Sequence, residues 1–437
     1  MAARFESWGR FPHAQPVSVH SLRGQDVSLQ DLASPEDPVV IHGNGRSYGD
    51  VALLDRGIVL HSRGLDRFIE FDAEAGVLRA EAGVLISEVL ELIVPRGWFL
   101  PVTPGTRFIT LGGAVANDVH GKNHHHAGSF GHHVRALELL RSDGSRRYCS
   151  PEQNADWLSA TIGGLGLTGL ITWVEIALKP VASNVLKTKT RRFGSIREFF
   201  ALTRDNDGHA EYSVAWVDCV ARGRALGRGR YSTANFCDKA QSLPPPKKKA
   251  WMHVPFSPPI SVINPTVVRA FNSTYYRLPE VDGLQHYQKF LYPLDGITGW
   301  NRLYGRKGFV QHQCVLPLNV AEEALTELLN RIVRSGQGSF LAVLKQFGEH
   351  KPVGMLSFPR HGATLALDFP YKGERTVNLL RSLDEVVAQA NGAIYAAKDA
   401  CSESMMLRRS FPRLDEYLAF RDPALTSGLW QRLEDGE

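Results

Sequence analysis

The stretch PGTRFITLGGAVANDVHGKNHHHAGSFGHHVR (104–135) is the part of this sequence that says most about its fold and about the ligand that it can bind. Small residues recur throughout it, and they let a backbone approach a bound molecule closely. Asparagine, threonine and histidine lie between them and supply directed hydrogen-bonding groups. Four apolar residues, Ile109, Leu111, Val115 and Val119, are interleaved with the polar ones. This pattern favours a packed segment over a loose polar loop, and we expect it to form one wall of a ligand site.

A second glycine-rich segment lies upstream, where an apolar strand (39–41) runs into HGNGRSYGD (42–50). Its glycines leave backbone N–H groups unobstructed, as a pyrophosphate site requires. The spacing G-x-G-x-x-x-G differs from the dinucleotide fingerprint, and no clear phosphate-capping helix follows. On these residues alone the segment is either a ligand loop or a tight turn between strands.

A third segment, GLGLTG (164–169), matches G-x-G-x-x-G. The residues after it alternate as a strand and do not open a helix, so the helix N-terminus that holds a pyrophosphate is missing. We therefore exclude a Rossmann site here.

Hydrophobic periodicity predicts an α+β protein. The predicted strands are 39–41, 58–61, 68–72, 77–82, 170–178, 212–217, 309–316 and 364–369, and the predicted helices are 85–94 and 322–334. Changes of pattern predict an N-terminal domain (1–180), a second α+β domain (181–393) and a C-terminal segment (394–437).

The charge is uneven along the chain. The formal net charge is +5, yet residues 221–250 contain eight Lys or Arg and one acid, so the remainder is slightly acidic. A local basic segment predicts one anionic contact surface, whereas a nucleic-acid binder is more often basic overall. We expect no nucleic-acid partner.

Metal, disulfide and membrane-spanning classes are disfavoured. The five cysteines are scattered and form no C-x-x-C pair. Six histidines between 120 and 133 have no acidic or cysteine partner at a familiar ligand spacing, so we predict no metal site. No apolar run reaches the roughly 20 residues of a membrane span, and the N-terminus lacks a secretory pattern. We expect a cytoplasmic protein.

Several specific stretches together resemble the vanillyl-alcohol-oxidase or PCMH-type FAD-binding flavoproteins, over nearly the whole chain. Besides 104–135, they are GRSYGD (45–50), GLTGLI (166–171), LYPLDGITGWNRLYG (291–305), GFVQHQCVLP (308–317) and YAAKD (395–399). The resemblance implies a two-domain PCMH-type FAD-binding fold. Residues 1–180 are its FAD-binding domain, 181–393 its antiparallel-sheet substrate domain, and 394–437 a segment that returns to the FAD domain.

The resemblance also implies where FAD binds. The implied cofactor-binding residues are Ile41, His42, Gly43, Asn44, Gly45, Arg46, Ser47, Tyr48, Gly49, Asp50, Val51, Gly105, Thr110, Leu111, Gly112, Gly113, Asn117, Asp118, Val119, His120, Ile171 and Tyr395. Members that tether FAD covalently usually carry a histidine in the first loop, where this sequence has Arg46. We therefore expect noncovalent FAD.

For catalysis the resemblance implies Lys398 beside the reactive edge of the flavin, with His120 and Lys122 nearby. The implied substrate residues are Gln311, Gln313, Trp216, Lys345, Thr364 and Ala366. A cation at this place can stabilise a developing alkoxide, and the hydroxyl proton needs a base. Related enzymes carry a cysteine where this chain has Ala366, an asparagine at Thr364 and a tyrosine at Leu291. The cofactor site therefore matches more closely than the substrate pocket.

The implied function is FAD-dependent oxidation of the ribose 2-hydroxyl of a polyprenyl-phosphate ribose to the 2-keto sugar. This is the first half of an epimerisation to arabinose in cell-wall synthesis, and a separate NAD(P)H-dependent reductase completes it. Two alternatives stay open: a soluble alditol or aldonolactone oxidase that uses oxygen, and a non-catalytic flavin-bearing protein of a cell-envelope assembly.

A lipid substrate also requires access to a membrane surface. Within a basic loop at about 238–260, three lysines (247–249) are followed by Trp251, Met252 and Phe256, which combines cations with interfacial side chains. One hypothesis is a mobile lid (243–260) that docks on the inner face of the membrane; the alternative is a solvated basic loop.

Overall fold

In the computed structural model, which describes residues 5–24, 29, 36–205, 208–246 and 252–435, a small parallel sheet carries the first glycine-rich loop. It consists of β1 (Ser18–Ser21), β2 (Val39–His42) and β3 (Ile58–His61) in the order β1-β3-β2. Val39 and Val40 are buried, and the loop leaves at the end of β2. The apolar strand therefore anchors the loop in the core.

A five-stranded antiparallel sheet forms the rest of the N-terminal part. Its strands are β4 (Phe68–Asp72), β5 (Val77–Glu81), β7 (Val134–Leu140), β8 (Arg146–Cys149) and β9 (Leu170–Ala177), in the order β4-β5-β9-β7-β8. A short antiparallel pair joins β6 (Trp98–Phe99) to β10 (Lys179–Pro180). The helices are α1 (Ile86–Ile93), α2 (Leu111–Ala116), α3 (His124–Ala127) and α4 (Ala155–Thr161). Apolar faces of α1 and α2 pack in one cluster with β5, β7 and β9.

An eight-stranded antiparallel sheet follows, in the order β15-β11-β13-β12-β18-β19-β17-β20. Its strands are β11 (Val185–Phe193), β12 (Tyr212–Val217), β13 (Gly229–Phe236), β15 (Val281–His286), β17 (Phe309–Leu316), β18 (Ala342–Phe347), β19 (Gly362–Pro370) and β20 (Ala393–Ile394). A separate parallel pair joins β14 (Met252–His253) to β16 (Ile297–Thr298). The helices of this part are α5 (Ile196–Asp205), α6 (Pro265–Arg277), α7 (Tyr287–Leu291), α8 (Leu318–Ser335) and α9 (Glu374–Gln389).

The two faces of this sheet differ in chemistry. Val310, Cys314, Leu344, Leu365 and Leu367 belong to the apolar cluster that α8 and α9 cover. Because side chains alternate along a strand, their neighbours in β17, β18 and β19 point to the opposite face. That face is polar, and it forms the second wall of the site described below.

The C-terminal helices α10 (Ser404–Ser410), α11 (Leu414–Leu418) and α12 (Gly428–Glu434) return to the first sheet. Leu425 bridges to Val39 of β2, and Trp430 is buried in the same apolar cluster as Leu60 of β3. This packing holds the end of the chain against the glycine-rich loop.

The predicted α+β class with an antiparallel second sheet is confirmed. Strands predicted at 58–61, 68–72, 212–217 and 309–316 match in both bounds. The helix predicted at 322–334 begins earlier, at Leu318. Pro317 directly precedes its first turn, where the missing N–H of proline costs no helical hydrogen bond. The domain boundaries stay a prediction, and β20 lies across the one drawn at residue 393. In the described part of the chain, no helix is both long and apolar enough to cross a bilayer.

Candidate functional site

A cavity of about 900 Å³ lies between the glycine-rich segments and the polar face of the eight-stranded sheet. Cofactor and small-molecule sites typically enclose roughly 300–1,000 Å³, so the space is large enough for an extended ligand. Ser257 and Arg302 lie along its lining, beside the segment that leads back to the basic loop.

The first wall forms where the two N-terminal glycine-rich segments meet. Asn44 Nδ2 donates to the carbonyl of Phe108 at 2.7 Å. A Cβ at Gly43 would lie 2.8 Å from Thr110 Oγ1, so only glycine allows this approach. Thr110 in turn accepts a hydrogen bond from Gly113 N–H and caps α2. The segments at 42–50 and 104–117 therefore form one continuous surface.

Most of the cofactor residues implied by the sequence line this cavity. They are Ile41, Gly43, Asn44, Gly45, Arg46, Ser47, Tyr48, Val51, Gly105, Thr110, Gly112, Gly113, Asn117, Val119, His120, Ile171 and Tyr395. Gly166 lies there too, and a Cβ at Gly105 or Gly166 would meet no atom within 4 Å. The backbone therefore faces open space at these two positions.

Five of the implied cofactor residues lie behind the lining. His42 Nδ1 bonds to Ala52 O at 2.8 Å, and Asp118 accepts from Gly131 N–H and Ser357 Oγ. Asp50 pairs with Arg432, and Leu111 is buried in the N-terminal core. Gly49 packs so closely on Asp399 O that a Cβ would come within 1.6 Å. These residues hold the shape of the wall, and direct contact with a ligand stays a prediction for them.

Three polar atoms of the first wall are buried without a hydrogen-bond partner among the described residues: Arg46 Nε, Asn117 Oδ1 and His120 Nδ1. Native proteins leave few such groups unpaired unless a ligand or water satisfies them. Arg46 also lies over Trp8, with its guanidinium carbon 4.3 Å from the ring centroid. Orphaned polar atoms, exposed backbone at glycine and a long cavity together fit FAD.

The second wall is the polar face of β17, β18 and β19, joined by Lys398. Gln313 Nε2 donates to His120 Nε2 at 3.0 Å, which links the two walls. Lys345 Nζ donates to Gly121 O at 3.2 Å, and Lys398 Nζ lies 3.8 Å from the Tyr48 ring centroid. Gln311 and Ala366 also line the cavity.

Two lysines of this wall and Lys122 behind it have pKa values lowered by burial. Burial, with repulsion from Lys122 and Lys398, lowers the pKa of Lys345 to about 7. Burial lowers the pKa of Lys122 to about 7, although Asp295 opposes the shift. Burial and three nearby cationic or imidazole groups push the pKa of His120 well below its usual value, so this ring is neutral. An anionic ligand restores the charged form of the lysines.

Three residues implied for chemistry or substrate lie outside the lining. Lys122 Nζ donates to Phe290 O and Leu291 O and so fastens α7 to the second glycine-rich segment. Trp216 Nε1 donates to Phe340 O at 2.8 Å, and its ring packs edge-on against Tyr275. Thr364 is buried behind Gln313, from which it accepts a hydrogen bond. Their implied roles in the site stay predictions.

Sequence reasoning missed several lining residues, among them Trp8, Asp295, Asn301 and Asp368. Asp368 could have been identified from the sequence, because it is the one charged residue in the apolar strand GATLALDFP. A buried strand tolerates a lone acid only where a partner or a function compensates it.

Part of the predicted basic loop lies outside the described residues, namely Lys247, Lys248, Lys249 and Trp251. Farther along, the side chains of Phe256 and Ile260 are 69% and 80% exposed. Within the described ranges, no group of three or more His, Cys, Asp or Glu is arranged to hold a metal ion.

Comparison with known proteins adds independent findings. A family model described as an FAD binding domain matches residues 27–150. The decaprenylphosphoryl-β-D-ribose oxidase of Mycolicibacterium smegmatis is 34% identical over 99% of this chain and 97% of its own length. L-gulonolactone oxidase of Mus musculus is 28% identical over 40% of each chain. Human Δ(24)-sterol reductase is 32% identical over 27% of this chain and 23% of its own. The first of these similarities covers both walls of the cavity.

Proposed function

The chain belongs to the family of the decaprenylphosphoryl-β-D-ribose oxidases and is an FAD-dependent oxidoreductase, and on this premise we propose that it oxidises the 2-hydroxyl of a polyprenyl-phosphate ribose to the 2-keto sugar. The observation that carries the proposal is the opposition of two walls across one cavity. A glycine-rich wall with orphaned polar atoms faces a second wall, in which the sheet presents Gln311, Gln313 and Lys345 and the turn beside it presents Lys398.

The residues of the first wall would hold the cofactor. Backbone N–H groups of the 42–50 and 105–113 segments suit the phosphates, and Asn117, His120 and Tyr395 border the same space. FAD, when bound, supplies the two-electron acceptor that an alcohol oxidation requires. We propose a noncovalent complex, because Arg46 occupies the place where tethered relatives usually carry a histidine.

The residues of the second wall would bind and orient the sugar. Lys398 is partly buried, and its ammonium group can stabilise negative charge that develops on the substrate oxygen. Gln311 and Gln313 add amide groups that can hydrogen-bond to the sugar hydroxyls. Lys122 would act indirectly, because its bonds to residues 290 and 291 position that segment.

The charge of the lining supports a phosphorylated substrate. Six cationic residues line the cavity, namely Arg10, Arg46, Arg107, Arg302, Lys345 and Lys398, against the three acids Glu6, Asp295 and Asp368. The pyrophosphate of bound FAD would offset part of this excess and a phosphate-bearing sugar the rest, whereas a neutral sugar alcohol would not.

The substrate class implies two further partners, which we propose with it. A separate NAD(P)H-dependent reductase would reduce the 2-keto sugar and complete the epimerisation. A membrane surface would present the lipid to the exposed Phe256 and Ile260, which follow the three lysines at 247–249 in the same loop. The enzyme would then work at the cytoplasmic face of the membrane.

The test begins with the purified protein and its visible spectrum. Acid precipitation should leave a yellow supernatant, whereas a yellow pellet would show covalent FAD. Anaerobic addition of a polyprenyl-phosphate ribose should bleach the flavin. Bleaching by free alditols or aldonolactones alone would support an oxygen-using sugar oxidase, and bleaching by none of them would support a non-catalytic flavoprotein.

A further inference from the structure

Asp368 is a buried carboxylate in the polar wall that the proposed function leaves without a role. It lies in β19, opposite Gln311 of β17 in the strand register, and it lines the cavity. Its Oδ1 accepts a hydrogen bond from Gln311 Nε2, and its backbone N–H donates to Ser339 Oγ at 3.2 Å. Its Oδ2 is buried and has no hydrogen-bond partner among the described residues.

The groups that face Asp368 come from four separate elements. Gln311 lies on β17, Lys398 on the short 3-10 turn Ala396–Lys398, Tyr48 on the first glycine-rich loop and Tyr304 on the 3-10 turn Trp300–Tyr304. Among them Lys398 is the cation. Burial lowers the pKa of Lys398, and the charge of Asp368 opposes that shift. Burial raises the pKa of Asp368, against the opposing effects of Gln311 and Lys398.

We propose that Asp368 accepts, through Oδ2, the proton that the substrate hydroxyl loses, while Lys398 stabilises the oxygen that loses it. The inference rests on the proposed function and assigns the base that it requires. The O–H bond breaks and its proton converts the Asp368 carboxylate to a carboxylic acid. The C–H bond breaks, and its hydrogen leaves together with the electron pair, as a hydride, to the oxidant FAD, so that the carbinol carbon becomes a carbonyl. The proton returns to solvent when the product leaves.

Other bases in the lining are already engaged. His120 Nε2 accepts from Gln313, so Nδ1 of this neutral ring, which has no partner in the described part of the chain, carries the proton. Lys345 donates to Gly121 O. Asp295 accepts from the backbone N–H of Arg107 at 3.0 Å. Asp368 keeps one carboxylate oxygen without a partner, and a buried carboxylate with a raised pKa is a stronger base than one in water.

The test compares Asp368→Asn with the wild type and with Asp384→Asn. Asp384 is a matched control, since it is a buried carboxylate on α9 that accepts from His312 and Ser402, away from the cavity. The rate of anaerobic flavin reduction by a polyprenyl-phosphate ribose is measured against pH. For the wild type and Asp384→Asn, we expect the rate to rise with pH as Asp368 ionises. This rise is the acid limb of the pH profile. Asp368→Asn should retain FAD, lose this acid limb and react about 100-fold or more slowly.

A second readout needs no substrate. In infrared difference spectra of the FAD-loaded protein, a protonated-carboxyl band should titrate well above the usual pH range of an aspartic acid. The component of this band that belongs to Asp368 should be present in the wild type and in Asp384→Asn and missing from Asp368→Asn. Asp118 and Asp295, whose pKa is also raised by burial, should contribute equally in all three proteins. Asp368→Glu should shift the band and keep the acid limb at a reduced rate, which covers the case in which the asparagine variant folds poorly.

The outcomes separate this inference from the proposed function. If the wild type is reduced by the sugar and Asp368→Asn keeps both its rate and its acid limb, the inference is overturned and the function stands. A wild-type protein without a titrating carboxyl band also overturns it. If the wild type is not reduced by any polyprenyl-phosphate ribose, the proposed function fails, and the base assigned to it fails with it.

Discussion

Arg432 of α12 donates to both carboxylate oxygens of Asp50, with Nε–Oδ2 and Nη2–Oδ1 distances of 3.0 and 2.7 Å. Asp50 ends the first glycine-rich loop, so the C-terminal helix is tied directly to the wall of the cavity. The same guanidinium donates to Asp399 Oδ2 at 2.9 Å, one residue beyond Lys398. Burial opposes ionisation of Asp399, yet Arg432 and Ser402 hold its pKa below the usual value. One cation therefore connects three separate parts of the site.

Replacing Arg432 with methionine should destabilise the protein strongly. Asp50 and Asp399 would remain buried without a compensating charge, and breaking such a pair typically costs about 3–5 kcal/mol. We expect a lower urea midpoint and faster loss of FAD, measured by the absorbance of flavin released on dilution.

Arg413→Met is the control for this substitution. Arg413 also forms a two-bonded pair, with Glu416, but at the surface. Exposed pairs contribute little, so the urea midpoint should stay near that of the wild type. Equal losses in both variants would contradict the role of Arg432.

The buried lysines predict an unusual dependence of stability on pH. The folded-state pKa of Lys345 is about 7, below the usual value of 10.5 for an unfolded chain. Between these values the unfolded state binds more protons than the folded state, so stability should rise with pH across this window. The slope for one lysine is at most about 1.4 kcal/mol per pH unit.

The measurement is a series of urea midpoints from pH 7 to 9, at fixed ionic strength, for the wild type and Lys345→Met. The variant should show a smaller increase, because one of the contributing lysines is gone. Lys307→Met provides a control, as Lys307 is an exposed cation outside the cavity lining. An unchanged slope in Lys345→Met would show that Lys345 is not the group that titrates.

The sequence predicted local features better than the contacts between distant ones. Aromatic and β-branched residues marked β12 and β17 to the residue, because such side chains favour buried strands. The pairing of Arg432 with Asp50 joins residues 382 positions apart, and no local pattern specifies it. Trp216 shows the same limit, since its strand was predicted and its packing against Tyr275 depends on α6.

Lys398→Ala should retain FAD and lose most of the rate at which the substrate reduces it. Lys398 belongs to the second wall and touches the glycine-rich surface at the Tyr48 ring, so its removal leaves most of that surface unchanged. Without its charge a developing alkoxide loses its counter-charge, and losses of about 100- to 1,000-fold are typical when one such group is removed. Stopped-flow reduction of the bound flavin measures the rate, and the visible spectrum measures its retention.

Lys179→Ala is the matched control for Lys398. It is a largely buried lysine outside the cavity, where it donates to Glu211. Its replacement should leave the reduction rate near that of the wild type. Similar rates in Lys398→Ala and wild type would remove Lys398 from the reaction.

Substitutions at two glycines should separate a role in FAD binding from a role in packing. A Cβ at Gly105 would meet no protein atom within 4 Å, whereas a Cβ at Gly112 would lie 2.9 Å from the Ala82 Cβ. Gly105→Val should therefore leave the urea midpoint of the FAD-free protein unchanged and weaken FAD binding about tenfold, equivalent to about 1.4 kcal/mol. Gly112→Ala should lower the urea midpoint of the FAD-free protein, because α2 must move away from Ala82, the residue after β5. Titration of the FAD-free protein with FAD, followed by flavin fluorescence, gives the affinity. Unchanged affinity in Gly105→Val would mean that the open space at this glycine is not where the cofactor lies.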